Sequence, residues 1–158
     1  MTSPVEQRSI LVVDDDASVR AMLGYLLHDE GYDVREACDG AEAIEELTVN
    51  PPDAVVLDLM MPNVDGLGVL KRRRSGGFAP DTRIIILTAK TETRDAVWCW
   101  ELGADVYLTK PVDPDKLAKE MRVLLSHSSL ELERRREHGL KDAKERDRLE
   151  AAFQPKRR

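Results

Sequence analysis

Four short runs of consecutive apolar residues punctuate the chain, at positions 10–13, 54–57, 84–87 and 106–108, and each stops at a polar residue: Asp14, Asp58, Thr88 and, for the last, Thr109 and Lys110. Uninterrupted apolar runs of this length mark strands buried on both faces. Residues 32–37 (Tyr-Asp-Val-Arg-Glu-Ala) alternate instead, as a strand nearer a sheet edge does. Between these segments the apolar positions recur at three and four residues. Val19, Met22, Leu23, Leu26 and Leu27 form the clearest stripe, Ala41, Ala43, Ile44 and Leu47 a looser one, and Leu67, Val69 and Leu70 a third. A fourth helix is predicted over about 92–102, closed by Gly103, and a fifth over about 115–125. Turn punctuation falls between the elements at Gly31, at Asn50, Pro51 and Pro52, and at Ser75, Gly76 and Gly77.

Five strands alternating with five helices specify an α/β domain, a doubly wound parallel sheet with helices on both faces. Open sheets of this kind bind ligands outside the carboxyl ends of their strands. The pattern therefore nominates Asp14, Asp15, Asp58, Thr88 and Lys110 as one site. Carboxylates brought within about 4 Å repel by roughly 1 kcal/mol per pair even in a water-like dielectric, and by more when partly buried. A hard divalent cation such as Mg2+, together with the Lys110 ammonium, answers that repulsion. With such compensation the Asp58 carboxylate can act as a nucleophile toward phosphorus, giving an aspartyl phosphate, while the Thr88 hydroxyl stands where a phosphoryl oxygen would lie. Asp16 reads as a helix N-cap.

Charge and length refine this picture. The chain has 158 residues and a net charge of −6, room for one domain and a remainder of some thirty residues. Residues 1–126 hold 14 basic and 23 acidic residues, a net of −9, whereas 127–158 hold 10 basic and 7 acidic, a net of +3. An acidic body fits a cation-binding domain and argues against nucleic-acid binding by the domain itself. No apolar run approaches the about 20 residues needed to cross a bilayer, and no apolar signal core opens the chain, so a cytoplasmic protein without membrane attachment is expected. Cys38 and Cys99 have no partner spacing for a disulfide or zinc site.

Four stretches carry a resemblance: Ile10-Leu11-Val12-Val13-Asp14-Asp15-Asp16; Val56-Leu57-Asp58-Leu59-Met60-Met61-Pro62 with Asp65-Gly66; Leu87-Thr88-Ala89; and Gly103-Ala104-Asp105-Val106-Tyr107-Leu108-Thr109-Lys110-Pro111. In this order and at these separations, residues 9–126 resemble the receiver domain of two-component response regulators, in the manner of stand-alone chemotaxis regulators. The resemblance implies a flavodoxin-like (βα)5 fold with strand order 2-1-3-4-5. It implies Asp58 as phosphoacceptor, Asp14, Asp15, Asp58 and the Met60 backbone carbonyl as the Mg2+ site, and Thr88 and Lys110 as phosphoryl contacts. Tyr107 becomes a switch residue following Thr88, and Lys110–Pro111 a cis peptide. The implied phosphodonor is a histidine kinase or histidine phosphotransfer protein. A downstream protein would read the face of helix four, strand five and helix five, where Trp98, Trp100 and Tyr107 lie, and homodimerisation on phosphorylation is a further option. By helical phase Cys99 and Leu102 point inward, so one of the two tryptophans is expected at the surface.

Outside that stretch, residues 1–8 are expected to be a flexible N-terminus. Residues 127–158 are expected to be a charged helical extension of helix five that frays or docks on a partner, with Gly139 weakening its middle. Lys71, Arg72, Arg73 and Arg74 read as a solvated helix end. Two alternatives to a stand-alone receiver remain. One is the receiver part of a larger transcription factor or output enzyme. The other, an Mg2+-dependent phosphohydrolase, needs a second aspartate two residues after the nucleophile, and Met60 occupies that position. Beyond its own phosphotransfer and autodephosphorylation, no enzymatic activity is expected.

Overall fold

The computed structural model of the protein describes residues 7–154. Residues 1–6 of the expected N-terminal segment lie outside the described residues. Gln7 and Arg8 are tied down, the first by donating from its side chain to the Gly31 carbonyl (2.9 Å) and the second by pairing with Asp53 (3.5 Å).

Five strands, β1 (Ser9–Val13), β2 (Asp33–Ala37), β3 (Ala54–Leu57), β4 (Arg83–Thr88) and β5 (Val106–Thr109), form one all-parallel sheet in the order β2-β1-β3-β4-β5. This is the doubly wound order implied by the resemblance, and the alternating strand β2 is an edge. Among the described residues each strand is followed by a helix, α1 (Ala17–Asp29), α2 (Gly40–Val49), α3 (Gly66–Gly76), α4 (Thr93–Glu101) and α5 (Pro114–Ser126), and α6 (Ser129–Phe153) comes directly after α5. Successive strand side chains point to opposite faces, so Leu11 and Val13 meet α2, α3 and α4 through Leu47, Leu70 and Cys99, while Ile10 and Val12 meet α1 and α5 through Leu23, Leu27, Leu117 and Met121. Each such side chain is removed from water, contributing about 2 kcal/mol of transfer free energy before conformational entropy is charged against it.

Four helices begin with an aspartate N-cap. Asp16 accepts from the Ser18 and Val19 amides, Asp39 from Glu42, Asp65 from Gly68 and Asp113 from Asp115. These caps fix where each strand-to-helix turn ends, and so where the residues at the strand tips face. Helix α4 differs: its N-cap, Glu92, makes no side-chain capping bond.

Two expectations change. The basic end of α3 is not simply solvated: Arg73 donates to the carbonyls of Ala79, Pro80 and Thr82, and Arg74 donates to the Glu101 carbonyl. Burial pushes the Arg73 guanidinium below its ordinary pKa. The C-terminal segment is also no continuation of α5. That helix stops at His127, where Arg83 occupies the carbonyls of Leu124 (3.2 Å) and His127 (3.0 Å), and α6 starts afresh at a capping box between Ser128 and Glu131. It then folds back antiparallel to α4, with Gly139 against Trp100 and Asp147 and Glu150 against Thr93.

Candidate functional site

Strand register alone brings two of the nominated carboxylates together. Val13 pairs with Leu57, so the next residues, Asp14 and Asp58, emerge side by side from adjacent strands about 4.8 Å apart. The Asp58 amide donates to the Val13 carbonyl (3.0 Å), which fixes the first residue past the strand as firmly as the strand itself. Asp14 and Asp58 are 2% and 4% exposed, while Asp15 reaches solvent. One carboxylate oxygen from each of Asp14, Asp15 and Asp58 lies within 4.8 Å of the others.

Lys110 enters from β5. Thr88 pairs with Thr109 in the register, and the Lys110 amide donates to the Thr88 carbonyl (2.9 Å). The Lys110 ammonium then lies 2.6 Å from Asp14 Oδ2 and 3.2 Å from Asp58 Oδ2. Burial alone would lower the ammonium's pKa, but the Asp14 hydrogen bond and the charges of Asp58 and Asp14 outweigh it, so the net shift is upward. The group remains a cation at neutral pH. The Lys110–Pro111 peptide is cis, as the motif implied.

The rest of the shell is built around Asp58. Its Oδ1 accepts the Met60 amide (3.2 Å), while the Met60 side chain is exposed. Gly66 passes directly behind: a Cβ there would sit 2.4 Å from the Asp58 carbonyl oxygen and 2.8 Å from Leu59 Cα, so only glycine lets α3 begin this close. Arg20 of α1 donates to the Asp14 carbonyl (2.7 Å), and the Asp14 side chain accepts the Asp16 amide (2.9 Å). Thr88 is buried at the tip of β4, its hydroxyl accepting the Lys90 amide (3.2 Å). Tyr107 is half-buried and donates its phenol proton to the Lys90 carbonyl (3.1 Å). Burial, with Cys99 and Asp95 nearby, keeps that phenol's pKa well above the ordinary tyrosine value.

All five nominated strand-end residues thus converge, and Tyr107 connects to them through Lys90. The tryptophans stand apart from the carboxylates. Trp98 is 42% exposed with Lys71 over its ring at 5.9 Å, whereas Trp100 is half-buried beneath α6. Sequence reasoning named Gly66 only as part of a motif and missed its packing behind Asp58, and it missed Arg20 and the α6 contact. The signal for that contact is the spacing of Leu132, Gly139 and Ala143, a stripe of mostly small residues that a search for large apolar side chains passes over.

The comparisons with known proteins agree with this geometry. The family model described as the response regulator receiver domain matches residues 10–122. The chain is 47% identical over 120 residues to the response regulator MprA of Mycobacterium sp. (strain KMS), covering 76% of this chain and 51% of that protein. It is 42% identical over 123 residues to the alkaline phosphatase synthesis transcriptional regulatory protein PhoP of Bacillus subtilis (strain 168), covering 78% and 50%. The chain therefore spans about half the length of these curated relatives. Among solved structures, a CheY-like response regulator receiver domain protein from Methanospirillum hungatei JF-1 superposes with a TM-score of 0.72 at 26% identity, covering 76% of this chain and 94% of that one. With the family model spanning most of the chain and the strand-end carboxylates and lysine gathered as described, the chain belongs to the response regulator receiver domain family.

Proposed function

We propose that Asp58 is the phosphoacceptor of this receiver domain, and that its phosphorylation alters which protein the domain binds. One observation carries the reading: Asp14, Asp15 and Asp58 present carboxylate oxygens within 4.8 Å of one another, with the Lys110 ammonium 3.2 Å from Asp58. Three carboxylates against one ammonium leave a surplus of negative charge on an oxygen-only donor set, which fits Mg2+ held by Asp14, Asp15, Asp58 and the Met60 carbonyl. When bound, the ion neutralises charge on phosphoryl oxygens.

The chain's own groups do the rest. An Asp58 carboxylate oxygen attacks phosphorus in line with the leaving group, forming an O–P bond as the P–N bond of a phosphohistidine breaks and the departing imidazole keeps the electron pair and takes a proton from solvent. Lys110 stabilises the charge on the transferring group, and the Met60 amide holds the Asp58 side chain in place. The Thr88 hydroxyl, turning toward the new phosphoryl group, leaves the Lys90 amide, and Tyr107 follows through its bond to the Lys90 carbonyl. Phosphorylation in this scheme shifts the balance between two pre-existing arrangements of the segment after β4.

The phosphodonor is a histidine kinase or phosphotransfer protein, and the listener a protein contacting α4, β5 and α5, with homodimerisation as one form of that contact. Transfer to Asp58 and hydrolysis from it are the only reactions in this scheme. A cytoplasmic setting belongs to the same reading; among the described residues no helix is long and apolar enough to cross a membrane. A second reading, the receiver part of a larger transcriptional regulator, is favoured by the half-length match to MprA and PhoP. Fluorine NMR with Mg2+ and beryllofluoride tests the site: protein-bound fluoride resonances are expected for the wild type and absent for Asp58→Asn. Their absence from the wild type would sink the proposal.

A further inference from the structure

Helix α6 differs from the other helices in how it is held. Of its 25 residues only Leu132 and Ala143 are buried, whereas α5 buries five of its 13. Its attachment is mainly ionic and polar. Arg136 reaches 2.6 Å to Asp105, a carboxylate at the start of β5 that is 0% exposed, and Arg135 donates to the Asp105 carbonyl (2.9 Å) while pairing with Glu120 of α5 (2.5 Å). Lys144 lies 3.8 Å from Glu101. The seam is also loosely filled, with a cavity of about 590 Å3 left between α6 and the domain, lined by Thr93, Trp100, Tyr107, Val112, Lys116 and Arg146 among others. Beyond the Arg136–Asp105 anchor, the far half of α6 is fastened by exposed charge and hydroxyl contacts over an incompletely packed seam, so it can loosen at modest cost while the anchor holds.

Its far end is wired to the site. Asp147 and Glu150 of α6 both lie within hydrogen-bonding distance of the Thr93 hydroxyl (2.7 and 2.8 Å), which donates its single proton to one of them. Thr93 opens α4, a helix of nine residues with no side-chain cap of its own, and α6 adds two carboxylates to the Asp95 already in its first turn. From there the path to Asp58 is short. Residues 88–93 run from Thr88, whose hydroxyl accepts the Lys90 amide, through Lys90, whose carbonyl accepts Tyr107 and whose ammonium lies 3.6 Å from Asp95 of α4, to Thr93 itself. Drawing Thr88 toward a phosphoryl group shortens the inner end of this segment and pulls Thr93 away from the two α6 carboxylates.

We propose that α6 is a strap across α4 and the β5 end of the sheet, covering Trp100 and Tyr107, and that phosphorylation of Asp58 loosens it. The inference rests on Asp58 being the phosphoacceptor. It makes α6 a resident competitor for the surface a downstream protein would read, and by linkage anything that binds the uncovered surface favours the phosphorylated form. Gly139 is the fastening point: a Cβ there would lie 2.7 Å from three carbons of the Trp100 ring. Gly139→Ala therefore separates docking from helicity, since alanine is the better helix former and yet cannot share the space.

Hydrogen exchange of the full chain, read by mass spectrometry with and without Mg2+ and beryllofluoride, tests this. In the wild type the amides of 139–150 are expected to exchange about tenfold faster with the phosphoryl mimic, within the usual range of coupling between sites, while those around Asp58 slow. Gly139→Ala should show the fast α6 exchange without the mimic. Slowed exchange around Asp58 with unchanged or slower exchange in α6 overturns the strap and leaves the phosphoacceptor reading standing. No slowing around Asp58 overturns both.

Discussion

Replacing Lys110 with methionine tests the electrostatic logic of the site in a single step. The aliphatic stem is kept and only the charge is lost, so packing is nearly conserved. In the wild type the ammonium is 24% exposed and contacts two carboxylates, at 2.6 and 3.2 Å, whose own side chains are 3% and 5% exposed. Removing one partner of a buried pair costs about 3 to 5 kcal/mol, because the other charge is left desolvated. Here the low end applies, since the ammonium keeps some water and Asp14 retains the Asp16 amide. A loss of about 3 kcal/mol is a large share of a domain's total of about 5 to 15 kcal/mol, and lowers Tm by roughly 6 to 12 °C at this size. Urea unfolding in chelator and in Mg2+ is the assay. The cation replaces the missing charge, so Mg2+ at about 100 times its Kd should return roughly 2.7 kcal/mol to the variant. A loss below about 1 kcal/mol in chelator, or one that Mg2+ leaves unchanged, would refute the reasoning.

Other expectations follow from neighbouring contacts. Gly66→Ala drives a Cβ into the Asp58 carbonyl and Leu59 Cα; it should cost about 2 kcal/mol or more in urea unfolding and slow phosphorylation of Asp58, because backbone rather than a flexible side chain must give way. Arg136→Met leaves the buried Asp105 carboxylate with the Ile84 amide and the more distant Arg73 charge but no directly paired guanidinium, costing about 2 kcal/mol, with Asp105→Asn in the same chain restoring part of it; unfolding curves of the two variants decide. The pH dependence follows from the raised Lys110 pKa. Its pairing stabilises the fold fully below the ordinary lysine value of 10.5 and is lost as pH rises through the higher folded value. The stability difference between wild type and Lys110→Met should hold up to the ordinary lysine value of 10.5 and shrink as pH rises above it, and a difference that stays constant through strong alkali would contradict the shift.

The sheet was legible because burial on both faces writes itself as uninterrupted apolar runs, and because ending those runs at Asp14, Asp58, Thr88 and Lys110 left their chemistry at one edge. Register then did what sequence could not: the Val13–Leu57 pairing set the spacing of the two carboxylates. Phase correctly sent Cys99 inward and one tryptophan to the surface, but did not say which one: Trp98 is the exposed ring, and the cover over Trp100 comes from a helix some forty residues further along the chain. That helix was readable as helical and not as docked. Its inward stripe is built from Leu132, Gly139 and Ala143, and its charges from Arg135 onward look like solvated pairs until Asp105, fully buried, is found beneath them. Gly139, which as sequence weakens a helix, is required by the Trp100 ring.

The central claim is that Asp58 accepts a phosphoryl group. Incubation with a small phosphodonor, with and without Mg2+, followed by intact-mass analysis and peptide mapping, measures it directly. One added phosphoryl group, dependent on Mg2+, mapped to Asp58 and lost in Asp58→Asn, is the predicted result. An unchanged mass in the presence of Mg2+, or a phosphoryl group that persists in Asp58→Asn, would contradict the account.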